Sequence, residues 1–113
     1  MLKLMLIRHG ETAGNQKQRY IGRRTDEPLL PQSQEVLKQL DYGEPQAVYA
    51  SPMLRCTQTA SILFPGKPLN IIDELAECDF GEFENKNYLE LDGNANYQAW
   101  IDSGGLLPFP GGE

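Results

Sequence analysis

Histidine is nearly absent from this chain of 113 residues: His9 stands alone. Cysteine is scarce, with Cys56 and Cys78 far apart. Tetrahedral zinc takes four nitrogen or sulfur ligands in closely spaced pairs, so no metal site is expected and no cofactor is implied. No apolar run nears the ~20 residues that span a bilayer. Met1–Ile7 is too short for a signal peptide and runs straight into charge. The expectation is a cytoplasmic protein without a membrane partner, its two cysteines free thiols rather than a disulfide. Basic charge is short too. A net charge of −6 excludes a nucleic-acid coat, which needs a basic footprint.

What basic charge there is lies forward. Lys3, Arg8, Lys17, Arg19, Arg23 and Arg24 share the first 24 residues with one acid, Glu11. From Asp73 onward Lys86 is the one base against ten acids. A basic front half in an acidic chain suits a small anion in a pocket, although surface scatter would look alike. Hydrophobic residues make up 40%, enough for a globular fold, and the length fits about one domain.

Residues 2–7 are apolar except Lys3 and end at a charge and Gly10, the pattern of a buried parallel strand. Residues 10–31 have no clear period and form a long loop of the kind that carries function. Pro31 opens a helix in which Val36, Leu37 and Leu40 recur at helical spacing, closed by Gly43 and Pro45. Residues 47–50 form a second strand. Ser51 then caps a helix over 52–64, with Pro52 in its first turn and Leu54, Ala60 and Leu63 as core contacts. Pro65-Gly66 ends it, and residues 69–72 form a third strand. Residues 73–86 read as an acidic, solvated loop, and a helix covers about 96–102 around Trp100. This β-loop-α-β-α-β order predicts an α/β fold with a parallel sheet.

Arg8 and His9 fall where the first strand ends, and ligands of open α/β sheets bind beyond the carboxyl ends of strands. A guanidinium there holds phosphate through paired hydrogen bonds, and a neutral imidazole is a nucleophile. Arg55, in the first turn of the helix after the second strand, reaches the same edge beside a helix N-terminus that favours anions. Singly, each has an ordinary explanation: a structural histidine, a surface arginine. Together they make a phosphoryl-transfer site.

These segments also carry a family resemblance. Leu6-Ile7-Arg8-His9-Gly10-Glu11-Thr12, followed by Asn15, resembles the signature of the histidine phosphatase superfamily, the phosphoglycerate-mutase-like proteins. Gly22, Asp26, Pro28 and Leu29 resemble its next segment. Ser51 to Ala60 resembles its second motif, and Leu75 to Glu84 its third. The resemblance implies a three-layer α/β/α fold with a mainly parallel sheet. It makes His9 the nucleophile that is phosphorylated. It makes Arg8, Asn15, Gly22 and Arg55 ligands of the substrate phosphate, and Glu77 the general acid. Partial burial and the negative charge of the phosphate would both raise the pKa of that carboxyl, so that it holds a proton to donate. Arginines would supply the positive charge that a metal supplies elsewhere.

Three departures stand out. The family places a second histidine in the pocket, late in a longer domain, and this sequence has none. Residues 1–113 are therefore expected to be the N-terminal part of a single, apparently truncated histidine phosphatase domain, weak or inactive alone. Leu30 stands where the family often has Ser or Thr, and Asn85 where it often has Gly. Residues 85–113 lack the basic insertion of the family's mutases, which favours a phosphatase. The Glu77-Cys78-Asp79-Phe80-Gly81 wording resembles the alpha-ribazole phosphatases of the cobalamin pathway or a broad-specificity relative. The implied partner is a small-molecule phosphate ester, with a homodimer left open. A catalytically inactive module holding a phosphorylated ligand is the alternative.

Overall fold

The computed structural model describes residues 1–113. Helix α1 spans Ala13–Gln16, α2 Pro31–Lys38, α3 Leu54–Leu63, α4 Tyr88–Leu91 and α5 Ala95–Asp102. Strands β1 (Val48–Ala50) and β2 (Leu69–Ile71) pair in parallel, Val48 opposite Leu69. A parallel pair needs a crossover, and α3 is that crossover. In β1 the alternation sends Val48 and Ala50 inward against Ala60, Phe64 and Leu69, while Tyr49 faces out. The expected parallel α/β order is thus present.

The strand expected at residues 2–7 is not. It makes no backbone hydrogen bond, and Leu2, Leu4 and Leu6 are 91, 78 and 87% exposed. A strand exists only through a neighbour, so an apolar run without one stays irregular. The radius of gyration is 16.3 Å, against ~13 Å for a close-packed chain of this length. The exposed arm and two separate cores account for the difference.

The second core is aromatic. Phe83, Leu91 and Tyr97 are buried, with Tyr20, Phe80, Trp100 and Phe109 packed around them. Phe83 meets Tyr97, Trp100 and Phe109 edge-on at centroid distances of 5.4, 6.0 and 5.9 Å, and Tyr97 stacks on Trp100. The Tyr20 hydroxyl, 3.1 Å from that of Tyr97, has its pKa pushed up to about 12 by burial and by Tyr97. Residues 73–86 are a solvated loop only in part, with Asp73, Glu74, Leu75 and Glu77 exposed. They fold into 3₁₀ turns at Asp73–Leu75 and Gly81–Phe83, and the second puts Phe83 in the core.

Other boundaries shift for local reasons. Pro31 does open α2, with Leu30 at the N-cap and no side-chain cap. Ser33, in the first turn, instead accepts the Glu11 N–H at 2.8 Å. Leu37 is buried and Val36 exposed on the other side of α2, which ends at Lys38, short of the expected stop at Gly43 and Pro45, so Leu40 lies beyond the helix and is exposed. Met53, not Ser51, precedes the first residue of α3, and Pro52 lies outside the helix. The Leu54 N–H goes to Asp26 Oδ1 at 2.6 Å, so a distant carboxylate does the capping. Leu54 turns to solvent, and Leu63 is half-buried while Ala60 is core. Asn85 holds φ +59°, the left-handed region that glycine favours and asparagine tolerates.

Phe83→Ala should cost about 3–5 kcal/mol in denaturant unfolding, whereas exposed Val36→Ala should stay within ~0.5 kcal/mol. Equal losses at the two positions would show that the aromatic cluster is not the second core.

Candidate active site

Arg8, His9, Glu11 and Asn15 line a polar cavity of about 290 Å³ with no apolar wall. The turn that carries them is fixed from two sides. The Gly10 N–H donates to the Thr59 hydroxyl on α3 at 2.9 Å, and that hydroxyl donates to the Arg55 carbonyl at 2.7 Å. Gly10 has no room for a side chain: a Cβ would lie 2.5 Å from Ser33 Oγ and 3.0 Å from Leu37. Beyond it Thr12, fully buried, caps α1.

His9 is half-buried. Its Nδ1 lies 2.6 Å from the Gly10 carbonyl. A carbonyl only accepts, so Nδ1 carries the proton and Nε2 keeps its lone pair when the ring is neutral. The ring pKa lies below the usual 6.5. Burial is the main cause, opposed by the Gly10 carbonyl and helped by the charges of Arg55 and Arg8. Glu77 opposes weakly. His9 is thus neutral near pH 7 with Nε2 unprotonated, the form a nucleophile needs.

Asn15 is oriented by its own helix start. Its Oδ1 accepts the Thr12 N–H at 3.0 Å, and its N–H donates to Thr12 Oγ1 at 3.2 Å. With the amide oxygen engaged, the Nδ2 hydrogens remain as donors beside the cavity.

Arg55 lies behind this wall, 2% exposed. Nη1 donates to the Thr25 carbonyl at 2.8 Å, and Nη2 to the Gly22 and Ile21 carbonyls at 3.3 and 3.5 Å. Its Nε–H is buried without a partner. A buried donor left unpaired costs about 1–3 kcal/mol, which an incoming anion oxygen would recover. The anion that sits at the α3 N-terminus is Asp26, not a ligand, so that expected contribution of the helix end is already taken up.

Gly22 does not line the cavity. Its N–H donates to Glu84 Oε2 at 2.8 Å and its carbonyl serves Arg55. Its one donor is spent, so it builds the bed of Arg55 instead of meeting a substrate. Glu77 does not line the cavity either. It is exposed, without the burial expected of a proton-holding acid, and accepts the Cys78 N–H at 2.9 Å. Its charge nonetheless reaches His9. Cys56 and Cys78 are both free. The Cys78 thiol has its pKa pushed up to about 11 by burial and by Glu77, so it is no competing nucleophile at neutral pH. Sequence reasoning missed Glu11 as a cavity residue and Thr59 and Glu84 as supports. Each had a visible signal in its place within a motif: Glu11 in the signature, Thr59 in the second motif and Glu84 at the end of the third.

Comparison with known proteins places the chain in a family. The profile of the Histidine phosphatase superfamily (branch 1) matches residues 4–113. The adenosylcobalamin/alpha-ribazole phosphatase of Escherichia coli strain K12 is 33% identical over 109 residues, 89% of this chain and 53% of that protein. The crystal structure of the alpha-ribazole phosphatase from Shigella flexneri superposes with a TM-score of 0.82 at 31% identity, covering 95% of this chain and 56% of its own. A phosphoglycerate mutase from Thermus thermophilus gives 0.72 at 31%, covering 94% and 60%. The chain spans about half the length of the curated relatives it matches. Members of this family are phosphatases or mutases. Signature, buried arginine and profile agree: the chain belongs to the histidine phosphatase superfamily, branch 1.

Proposed function

We propose that the protein containing these residues hydrolyses a small-molecule phosphomonoester through a phosphohistidine on His9, with alpha-ribazole 5'-phosphate as the first substrate to try. The observation that carries this reading is the state of His9: Nδ1–H held by the Gly10 carbonyl, the ring neutral, in a polar cavity with Arg8 and Asn15. Two of the named relatives support the substrate, both called alpha-ribazole phosphatases. Residues 85–113, with one lysine and no arginine, support hydrolysis over mutase chemistry.

Arg8, Asn15 and the free Arg55 Nε–H hold the phosphoryl oxygens and offset charge in the transition state. His9 Nε2 attacks phosphorus as the bond to the leaving oxygen breaks. Glu77 gives that oxygen a proton, so an alcohol departs. Water then attacks the phosphohistidine, Glu77 takes its proton, and phosphate leaves with His9 restored. The second histidine implied by the family resemblance is not among these 113 residues. Weak turnover is therefore expected of this segment alone.

Incubating the protein with a phosphate donor should add one acid-labile phosphoryl group, seen by intact mass. His9→Ala should abolish it. Undiminished labelling of His9→Ala would sink the phosphohistidine mechanism. The single histidine also gives one imidazole Cε1–H resonance for an NMR titration. Its midpoint in the free protein should lie below 6.5, so protonation removes the nucleophile only under that pH. Arg8→Gln deletes a charge that disfavours imidazolium and should move the midpoint upward. A wild-type midpoint at or above 6.5 would contradict the lowering of the His9 pKa by burial and by the arginines.

A further inference from the structure

A carboxylate with no part in the chemistry above sits beneath Arg55. Glu84 Oε2 accepts the Gly22 N–H at 2.8 Å and also the Thr25 hydroxyl. The same stretch gives the Ile21, Gly22 and Thr25 carbonyls to the Arg55 guanidinium. Residues 21–25 are thus a turn held by its donors on one side and by its acceptors on the other. The approach is close enough to demand glycine: a Cβ on Gly22 would lie 2.5 Å from Glu84 Oε1 and 2.3 Å from the Cys78 carbonyl. Glu84 is itself fixed by its neighbours. Phe83 is fully buried, and the Asn85 N–H donates to the Tyr20 carbonyl at 2.7 Å while the Tyr20 N–H donates to the Lys86 carbonyl.

We propose that Glu84 is a positioning residue for phosphate binding: it locks the 21–25 turn so that its carbonyls hold Arg55 with the unpaired Nε–H directed to the substrate anion. This rests on the phosphate-binding role given to Arg55 above. Two features separate it from ordinary packing. The carboxylate takes an N–H and an O–H of the turn, leaving its carbonyls to Arg55. The Arg55 Nε–H stays buried and unpaired while both of its Nη atoms are engaged. Arg55 can turn toward a ligand only as far as the turn permits.

The test uses the full chain and inorganic phosphate as probe, with two readouts. The ¹⁵N-detected Nε–H resonance of Arg55 reports its position without any ligand, and calorimetry gives phosphate affinity. Glu84→Ala should broaden and shift that resonance and weaken phosphate about tenfold, the scale of coupling between contacting groups. Glu84→Gln should restore both, since one amide oxygen can accept from Gly22 and Thr25 together. Thr25→Val, which removes one of the two donors with little change of shape, should give a smaller change in the same direction and carries the test if Glu84→Ala does not fold. In an Arg55→Lys background, Glu84→Ala should weaken phosphate no further. An Arg55 resonance unmoved by both Glu84→Ala and Thr25→Val would overturn the proposal whatever phosphate does. So would Glu84→Gln behaving like Glu84→Ala, or a full loss persisting with Arg55→Lys. If the unsubstituted chain binds no phosphate while the resonance responds as expected, the anion-site reading falls and the positioning of Arg55 by Glu84 stands.

Discussion

A buried guanidinium is the constraint around which this half of the fold is arranged. Removing a charge from water costs several kcal/mol unless hydrogen bonds replace its hydration. Arg55 is 2% exposed and has no carboxylate salt-bridge partner; three backbone carbonyls from residues 21–25 hold it instead. Carbonyl dipoles solvate the cation without neutralising it. The positive charge therefore lowers the pKa of His9, where a buried Asp or Glu partner would have cancelled it.

Everything near the cavity serves that arrangement or leans on it. Helix α3 carries Arg55 and, one turn later, Thr59, whose hydroxyl bridges the Arg55 carbonyl to the Gly10 N–H. One helix thus sets both the arginine and the turn that bears the histidine. Asp26 caps α3 from the far side of the same loop. The aromatic core holds the opposite bank, placing Glu84 under Gly22. The site is a meeting of two cores, the small β1–α3 core and the aromatic cluster, joined through residues 19–25.

Much of this was legible in the residues. Arg8, His9 and Asn15 come together at one polar cavity, as the family resemblance implied. Pro31 and Pro65-Gly66 bound helices because proline and glycine act locally, through backbone angles and missing donors. Asn85 in place of glycine makes sense at once when its φ of +59° is seen. Less legible were features that depend on distant partners. Residues 2–7 have the composition of a strand yet pair with none. Residues 73–86 are rich in acid, yet Phe83 inside them is fully buried. Gly22 looked like a phosphate ligand, and its N–H belongs to a glutamate 62 residues away.

The sequence by itself determined which chemistry was on offer. One histidine, arginines gathered in the first part of the chain and the ordered motifs point to phosphoryl transfer, because nucleophile and anion ligands are properties of residue types. Only the tertiary structure decided how those groups are tuned. The proton on Nδ1 depends on where the Gly10 carbonyl lies, the burial of Arg55 on the fold of residues 21–25, and the exposure of Glu77 on how the third motif packs. Protonation and charge follow from solvation and from neighbours far along the chain, and neither is encoded at a single position.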